Sequence, residues 1–134
     1  MAGERPPSDP VRVLLVDDEQ GFVDILAKRL QKRNIDVVSA LSGKEAVQLL
    51  RGQSFDIAVL DLKMEGMDGI EVLKVFKIME PQMPVIILTG HGSEEAARDG
   101  LAHGAADYLM KPCDLNELIR NITETLARNR WKQT

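Results

Sequence analysis

The stretch VLLVDD, residues 13–18, is a short apolar run that ends in two carboxylates. Three further apolar runs also end in a polar residue: IAVLD at 57–61, VIILT at 85–89 and YLMK at 108–111. If these runs are neighbouring parallel strands, their carboxyl ends share one edge of a sheet, where open α/β folds bind ligands. Three carboxylates, a hydroxyl and an ammonium would then lie close together. These are the groups needed for Mg²⁺-assisted phosphoryl transfer to an aspartate.

Strand and helix patterns alternate along the chain from about residue 11. The predicted strands cover about residues 11–16, 35–39, 55–60, 84–88 and 106–110. They are continuous apolar runs rather than strict alternations, as expected when helices cover both faces of a parallel sheet. Because crossovers between parallel strands are right-handed, we predict a doubly wound α/β fold. Its five-stranded parallel sheet would have the order 2-1-3-4-5, giving a flavodoxin-like (βα)5 domain.

Helix starts are marked by residues that can cap a first turn. Three pairs have the spacing of a capping box: Ser42 with Glu45, Asp68 with Glu71, and Asp114 with Glu117. Apolar periodicity predicts a buried face on the first and last helices. These faces comprise Phe22, Ile25, Leu26 and Leu30 on the first helix and Leu115, Leu118, Ile119, Ile122 and Leu126 on the last. A fourth helix over about 93–103 has few large apolar residues, so we expect it to be loosely held and movable.

The length and composition of the chain exclude several classes of protein. The chain of 134 residues has the size of one compact domain. Its 17 basic and 21 acidic side chains give a net charge of −4, which does not fit a nucleic-acid binder, so we expect no direct nucleic-acid contact. No run approaches the roughly 20 apolar residues that cross a bilayer and no signal peptide is recognisable, so we expect a cytoplasmic protein without a membrane segment. The single cysteine, Cys113, cannot form an internal disulfide.

The sequence divides into one domain and two short ends. Residues 1–10 contain three prolines and no apolar periodicity, so we expect a disordered lead-in. Residues 11–130 carry all of the strand and helix patterns and form the predicted domain. Residues 131–134 are expected to be a C-terminal tail or a truncated linker.

The predicted strand order brings Asp17, Asp18 and Asp61 together, because the first and third strands are neighbours where the order reverses. Three carboxylates cannot remain ionised side by side without a cation. Oxygen ligands of this kind suit Mg²⁺, which keeps several waters and is commonly held by one or two carboxylates plus a phosphate. We therefore predict an Mg²⁺ site at this edge, and the ligand types exclude a soft-metal site.

Taken together and in order, these motifs resemble the receiver domain of bacterial two-component response regulators. The matching residues are the pair Asp17-Asp18, the lone Asp61, Met64 with GMDG at 66–69, Thr89-Gly90 and Lys111-Pro112. The resemblance covers about residues 11–130, nearly the whole chain.

The resemblance implies a phosphorylation site and a set of metal ligands. Asp61 would accept the phosphoryl group, and Asp18 and Asp61 would bind Mg²⁺ directly. Asp17 would help to bind the ion through a water molecule. The backbone carbonyl of Lys63 would be the remaining protein ligand.

The resemblance also implies a switch and a set of partners. The Thr89 hydroxyl and the Lys111 ammonium would contact phosphoryl oxygens, and Tyr108 would change rotamer on activation, altering the surface around the fourth helix and fifth strand. The implied partners are a sensor histidine kinase or phosphotransfer protein upstream and an output domain or protein downstream. The switched surface could also support a phosphorylation-dependent homodimer. Beyond Mg²⁺-dependent self-phosphorylation and slow self-dephosphorylation, no enzymatic activity is expected.

Two features depart from the usual pattern of the family. Glu65 stands where the family often has proline. Lys63 and His91, two residues beyond Asp61 and Thr89, border the path by which water would attack the phosphoryl group. These residues would affect the lifetime of the phosphoryl group.

Three other functions share parts of the pattern. A phosphorylation-independent interaction domain of the same fold ranks second, although it would not need every acidic, hydroxyl and ammonium position. An aspartyl-phosphate hydrolase of the haloacid-dehalogenase type would want a carboxylate two residues after the nucleophile, where this chain has Lys63. A flavodoxin-like cofactor binder needs a phosphate loop after the first strand, where Asp17, Asp18 and Glu19 would repel the phosphate.

Overall fold

The structure is a computed structural model that describes residues 10–64, 66, 68–90 and 94–133, with side chains described as far as Asn129. The predicted lead-in before Pro10 lies outside the described residues, as do Glu65 and His91. The last helix continues to Gln133, so the backbone of the predicted tail is helical as far as that residue. The predicted domain boundaries themselves stay predictions. No helix in the described part of the chain is long and apolar enough to cross a membrane.

Five parallel strands form one sheet in the described chain. They are β1 (Val11–Val16), β2 (Ile35–Ala40), β3 (Ile57–Asp61), β4 (Val85–Thr89) and β5 (Asp107–Met110). Their spatial order is β2-β1-β3-β4-β5, so the predicted fold class and strand order are confirmed. Strands β3 and β4 end one residue later than the sequence predicts, because Asp61 and Thr89 still pair with a neighbouring strand. Two residues of the predicted site therefore lie within the sheet.

Five helices alternate with these strands over the same described residues. They are α1 (Gln20–Gln31), α2 (Gly43–Gly52), α3 (Gly69–Met79), α4 (Glu94–Ala102) and α5 (Leu115–Gln133). The three predicted caps are formed: Ser42 Oγ accepts from Glu45 N–H, Asp68 Oδ1 from Ile70 and Glu71, and Asp114 Oδ1 from Asn116. These bonds satisfy N–H groups that have no partner within the helix, which fixes where α2, α3 and α5 begin.

The core consists of two layers, one on each face of the sheet. On one face, α2 and α3 bury residues such as Leu50 and Phe76. On the other face, α1 and α5 bury residues such as Leu26 and Ile119. The sheet is thus covered on both sides, which explains why its strands are apolar on both faces.

One predicted core residue, Ile25, is 52% exposed. The face of α1 that meets the sheet consists of Val23, Leu26 and Leu30, which are three and four residues apart. Ile25 lies off this stripe by one position, about 100° around the helix from its nearest member. The prediction of Ile25 as a core residue was therefore wrong.

Two glycines allow close packing, of α3 against the residue that follows β3 and of α4 against the sheet. A Cβ on Gly69 would lie 2.6 Å from Leu62 Cδ2 and 2.8 Å from Leu62 Cα, and a Cβ on Gly100 would lie 2.1 Å from Ile87 Cδ1. The buried residues of α4 are Ala97 and Gly100, so this helix contributes little apolar area to the core. The small buried area is the physical basis for expecting α4 to move.

We expect Gly69→Ala to lower the free energy of unfolding by about 1–3 kcal/mol, because the new methyl group would meet the Leu62 backbone and not only a movable side chain. Urea denaturation followed by circular dichroism measures this loss. Gly21→Ala is the matched control, since a Cβ there meets nothing within 4 Å. It should leave stability unchanged or raise it by up to about 1 kcal/mol. Equal stabilities for the two variants would contradict the close packing at Gly69.

Candidate functional site

The carboxyl ends of the strands place four of the predicted side chains along one edge of the sheet. Asp61 and Thr89 are the last residues of β3 and β4, and Asp17 and Lys111 directly follow β1 and β5. Backbone hydrogen bonds extend beyond the strands, because Asp17 N–H donates to the Ala40 carbonyl at 3.1 Å and Lys111 N–H donates to the Thr89 carbonyl at 2.7 Å. The backbone of the sheet therefore holds all four residues at one level.

The Lys111 ammonium lies at the centre of this group. Its Nζ is 2.7 Å from Asp17 Oδ2, 3.0 Å from Glu19 Oε1 and 3.3 Å from Asp61 Oδ2. It also lies 4.8 Å from the centre of the Phe22 ring, within cation–π range. Burial alone would lower the pKa of Lys111, but the hydrogen bonds to two carboxylates and the charge of the third outweigh burial and raise the pKa above its ordinary value. The lysine therefore stays protonated at physiological pH.

In each of the two buried carboxylates, one oxygen accepts a hydrogen bond from the backbone and the other accepts one from Lys111. Asp17 Oδ1 accepts from the Glu19 N–H at 2.9 Å, and Asp61 Oδ1 accepts from the Lys63 N–H at 2.9 Å. The second oxygen, Oδ2, faces Lys111 in both residues. The loop after each strand thus orients the carboxylate, through the local side-chain-to-backbone bond that aspartate favours in turns.

Asp17, Glu19 and Asp61 form the acidic group of the site, in which one oxygen from each residue lies within 4.8 Å of the others. Asp17 and Asp61 are 0% and 3% exposed, whereas Glu19 is exposed. Burial raises the pKa of Asp17 despite the hydrogen bonds that it accepts from Lys111 and Glu19. Three carboxylate oxygens at this spacing could hold a hard metal ion.

The acidic group differs from the sequence prediction in one member. Asp18 is exposed and is not part of the group, whereas Glu19 is. The chain turns directly after β1, where the Asp17 carboxylate accepts from the Glu19 N–H, and the Glu19 side chain reaches Lys111. No sequence signal set Glu19 apart, because all three acidic residues follow the same strand. A metal-binding role for Asp18 stays a prediction.

The remaining predicted residues surround the acidic group. The Lys63 side chain lies against Gly90, where a Cβ would be 3.2 Å from Lys63 Cδ, so the loops after β3 and β4 meet beside Asp61. Thr89 is fully buried, and Tyr108 is half-buried against the core layer beneath α2 and α3. The Lys63 carbonyl ligand and the switch roles of Thr89 and Tyr108 stay predictions.

A family model provides the first comparison with known proteins. The model of the response regulator receiver domain matches residues 13–123, which include the acidic group, Thr89 and Lys111. The chain belongs to the response regulator receiver domain family. The recognition made from the motifs is thus confirmed, and phosphorylation-dependent switching in two-component systems is the general function of such domains.

Curated relatives of this receiver domain are transcriptional regulators. Transcriptional regulatory protein ZraR of Klebsiella oxytoca is 37% identical over 134 residues, covering 100% of this chain and 29% of the relative. Transcriptional regulatory protein GlrR of Escherichia coli is 35% identical over 130 residues, covering 92% of this chain and 29% of the relative. The chain therefore spans less than a third of the length of these relatives.

Solved receiver domains have the same fold. The receiver domain of the Francisella response regulator 1452 is 34% identical with a TM-score of 0.80, covering 88% of this chain and 98% of that chain. A CheY-like receiver domain protein from Methanospirillum hungatei is 29% identical with a TM-score of 0.87, covering 92% and 98%. These similarities confirm the flavodoxin-like architecture. They favour a receiver domain over the interaction-domain, hydrolase and cofactor-binding alternatives.

We expect Lys111→Met to lower the free energy of unfolding of the metal-free receiver domain by about 3 kcal/mol at neutral pH, because two buried carboxylates lose their cation. Methionine is flexible and keeps much of the side-chain volume, so the loss reports mainly the missing charge. Urea denaturation in EDTA measures it. Lys74→Met is the control, since Lys74 pairs with Glu71 at 3.2 Å on the exposed surface and should change stability by less than about 1 kcal/mol. Similar losses in both variants would contradict the central position of Lys111.

We expect the difference in stability between the native protein and Lys111→Met to decrease as pH rises. Because the folded-state pKa of Lys111 is raised above the ordinary value of 10.5, its contribution to stability is fully present below that pH. The contribution is lost as pH rises through the folded-state pKa. The stabilities of the native protein and Lys111→Met should therefore converge at alkaline pH. A gap that stays constant as pH rises beyond 10.5 would show that the lost packing, not the lost charge, destabilises the variant.

Proposed function

We propose that this receiver domain accepts a phosphoryl group on Asp61 and passes a conformational change to an output domain or protein. The observation that carries the proposal is the position of the Asp61 carboxylate, which accepts from Lys63 N–H and faces the Lys111 ammonium beside two further carboxylates. The Asp61 side chain keeps 4% of its surface exposed, whereas the Asp17 side chain keeps 0%. Of the two buried carboxylates, Asp61 is thus the more exposed, which supports its choice as the acceptor.

The proposed reaction is phosphoryl transfer from a phosphohistidine. An Asp61 carboxylate oxygen attacks phosphorus, forming the O–P bond of an acyl phosphate while the P–N bond to the imidazole breaks. The imidazole leaves with the bonding electron pair and takes up a proton. Lys111, whose Nζ lies 3.3 Å from Asp61 Oδ2, neutralises charge on the phosphoryl oxygens. Slow hydrolysis of this mixed anhydride would reset the domain, so self-phosphorylation and self-dephosphorylation are its only proposed reactions.

We propose Mg²⁺ as the cofactor. Asp17, Glu19 and Asp61 offer three oxygen donors close together, and the resemblance adds Asp18 and the Lys63 carbonyl. Three carboxylates around one ammonium leave the site with excess negative charge, which favours binding of a cation. When bound, the ion would supply positive charge to the phosphoryl oxygens during transfer.

We infer that the switch runs from Thr89 to the surface formed by α4, β5 and α5. Thr89 ends β4, and the loop after it leads to α4, whose buried residues are the small Ala97 and Gly100. Movement of the Thr89 hydroxyl toward a phosphoryl group would shift this loop and helix, and Tyr108 would change rotamer.

The proposed phosphodonor is a sensor histidine kinase or phosphotransfer protein. Because the transcriptional relatives extend well beyond the matched region, we infer that an output region reads the switched surface. We do not assign DNA contact to this acidic domain, whose net charge is −4. A phosphorylation-dependent homodimer is a second use that we propose for the same surface. A cytoplasmic location follows from the proposed partners.

Acetyl phosphate tests the proposal directly. In the presence of Mg²⁺ it should add one phosphoryl group, which intact-mass spectrometry detects. Hydroxylamine should remove the group, because it cleaves acyl phosphates but not phosphate esters of serine or threonine. Excess EDTA should prevent the modification. A hydroxylamine-stable product, or full modification in EDTA, would contradict the proposal.

A further inference from the structure

Two contacts of Lys111 come from the start of α1 rather than from the ends of the strands. Glu19 Oε1 lies 3.0 Å from Lys111 Nζ, and the centre of the Phe22 ring lies 4.8 Å from it. Glu19 directly precedes α1, and Phe22 lies in its first turn. The resemblance to receiver domains gave neither residue a role.

The hydrogen-bonding capacity of the Lys111 ammonium is already used in full. An ammonium has three N–H donors, and Nζ has three carboxylate partners, Asp17, Glu19 and Asp61. A phosphoryl group on Asp61 would bring new oxygens to this ammonium. Lys111 can donate to them only if one of the present partners is released.

The three partners differ in what their release would cost. The Asp17 side chain is 0% exposed, so in the metal-free domain it would be a buried carboxylate with no cation beside it if Lys111 left. Asp61 itself carries the phosphoryl group. The Glu19 side chain is 62% exposed, so water can replace Lys111 at little cost. Glu19 is therefore the partner that a phosphoryl oxygen can displace most easily.

We propose that Glu19 is a positioning residue, which holds Lys111 in the unphosphorylated domain and yields it to the phosphoryl group. This inference rests on the proposed function, because it requires Lys111 to contact phosphoryl oxygens. Glu19 then competes with the phosphoryl group for the same ammonium. The Phe22 ring keeps the released ammonium close to the site, since its attraction acts on the charge of Lys111.

Beryllofluoride, which mimics a phosphoryl group on aspartate, tests the competition at an Mg²⁺ concentration that saturates each variant. Glu19→Gln should bind beryllofluoride about two- to fivefold more tightly than the native chain, because an exposed ion pair no longer opposes binding. Glu19→Asp keeps the charge but is one methylene shorter, so its affinity should shift in the same direction. Asp24→Asn removes an exposed carboxylate of α1 that pairs with Gln20, and it should bind like the native chain.

Unchanged or weaker binding by Glu19→Gln would overturn the inference. A Glu19→Asp variant that binds like the native chain would also overturn it, because the effect would then come from charge alone and not from contact with Lys111.

A second measurement does not depend on phosphorylation. In the metal-free protein, the NMR signal of the Lys111 ammonium should shift in Glu19→Gln and Glu19→Asp but not in Asp24→Asn. An unshifted signal would show that Glu19 does not hold Lys111. If the native chain fails to bind beryllofluoride, the proposed function fails. If native and Glu19→Gln chains bind it equally, only the role of Glu19 fails.

Discussion

Asp61→Asn is expected to reduce phosphorylation by acetyl phosphate to below detection in intact-mass spectrometry. The neutral amide is a poor nucleophile, and the change also removes the negative charge of one of the three carboxylates that lie together in the acidic group. Asparagine has nearly the same size and its carbonyl can still accept from the Lys63 N–H, which the native Oδ1 accepts at 2.9 Å. Removing one of three crowded carboxylates relieves repulsion, so the melting temperature should stay unchanged or rise.

Asp24→Asn is the matched control for this prediction, because it makes the same chemical change at an exposed carboxylate on α1. It should be phosphorylated as fully as the native chain. Modification of Asp61→Asn at the native level, mapped by peptide mass spectrometry to Asp17 or Glu19, would move the acceptor to another carboxylate. A melting temperature far below that of the native chain would attribute the lost phosphorylation to unfolding, and the Asp61 assignment would then lose this support.

The sheet could be predicted from the sequence because a strand covered on both faces is a continuous apolar run. The run VIILT at 85–89, for example, is buried along its whole length in the structure. Its short length favours a strand over a helix, and the polar residue at its end marks the edge of the sheet. The edge positions of Asp17, Asp61, Thr89 and Lys111 follow from strand order alone, so no side-chain geometry was needed to predict them.

Which acidic residues belong to the acidic group depends on the length and direction of their side chains, and strand order does not determine these. Glu19 joins the group through Lys111, a contact between residues 92 positions apart in the chain. Whether Asp18 or Glu19 faces that lysine is decided by the turn between β1 and α1. The same limit explains Ile25, since the first turn of α1 sets which residues face the sheet and the apolar pattern alone did not separate Ile25 from Leu26.

The close approach of α4 to the sheet could not be predicted either. The sequence shows Gly100 within a helix, where it lowers helix propensity and suggests weakness. The structure shows that the absence of a side chain at Gly100 lets the helix pack against Ile87. A helix held by close contact over a small apolar area is well placed to shift when its neighbouring loop moves.

Thr89→Ala is expected to separate phosphoryl binding from switching. In the native chain, beryllofluoride with Mg²⁺ should change NMR shifts around Asp61 and also across α4, β5 and α5. In Thr89→Ala the changes around Asp61 should persist while the distant changes are mostly lost. A hydrogen bond to a charged group contributes about 1.5–3 kcal/mol, so its loss should move the equilibrium back toward the inactive state by about 10- to 150-fold.

Thr89→Ser is the matched control, because serine keeps the hydroxyl and loses only a methyl group at this fully buried position. If the hydroxyl carries the signal, Thr89→Ser should switch like the native chain. If the buried methyl group carries it through packing, Thr89→Ser should fail as Thr89→Ala does, and the hydrogen-bond mechanism would be wrong. Changes that reach α4 equally in all three proteins would show that the phosphoryl signal leaves the site without Thr89. The contact between Lys63 and Gly90, which joins the loops after β3 and β4, would then be the next candidate for the route.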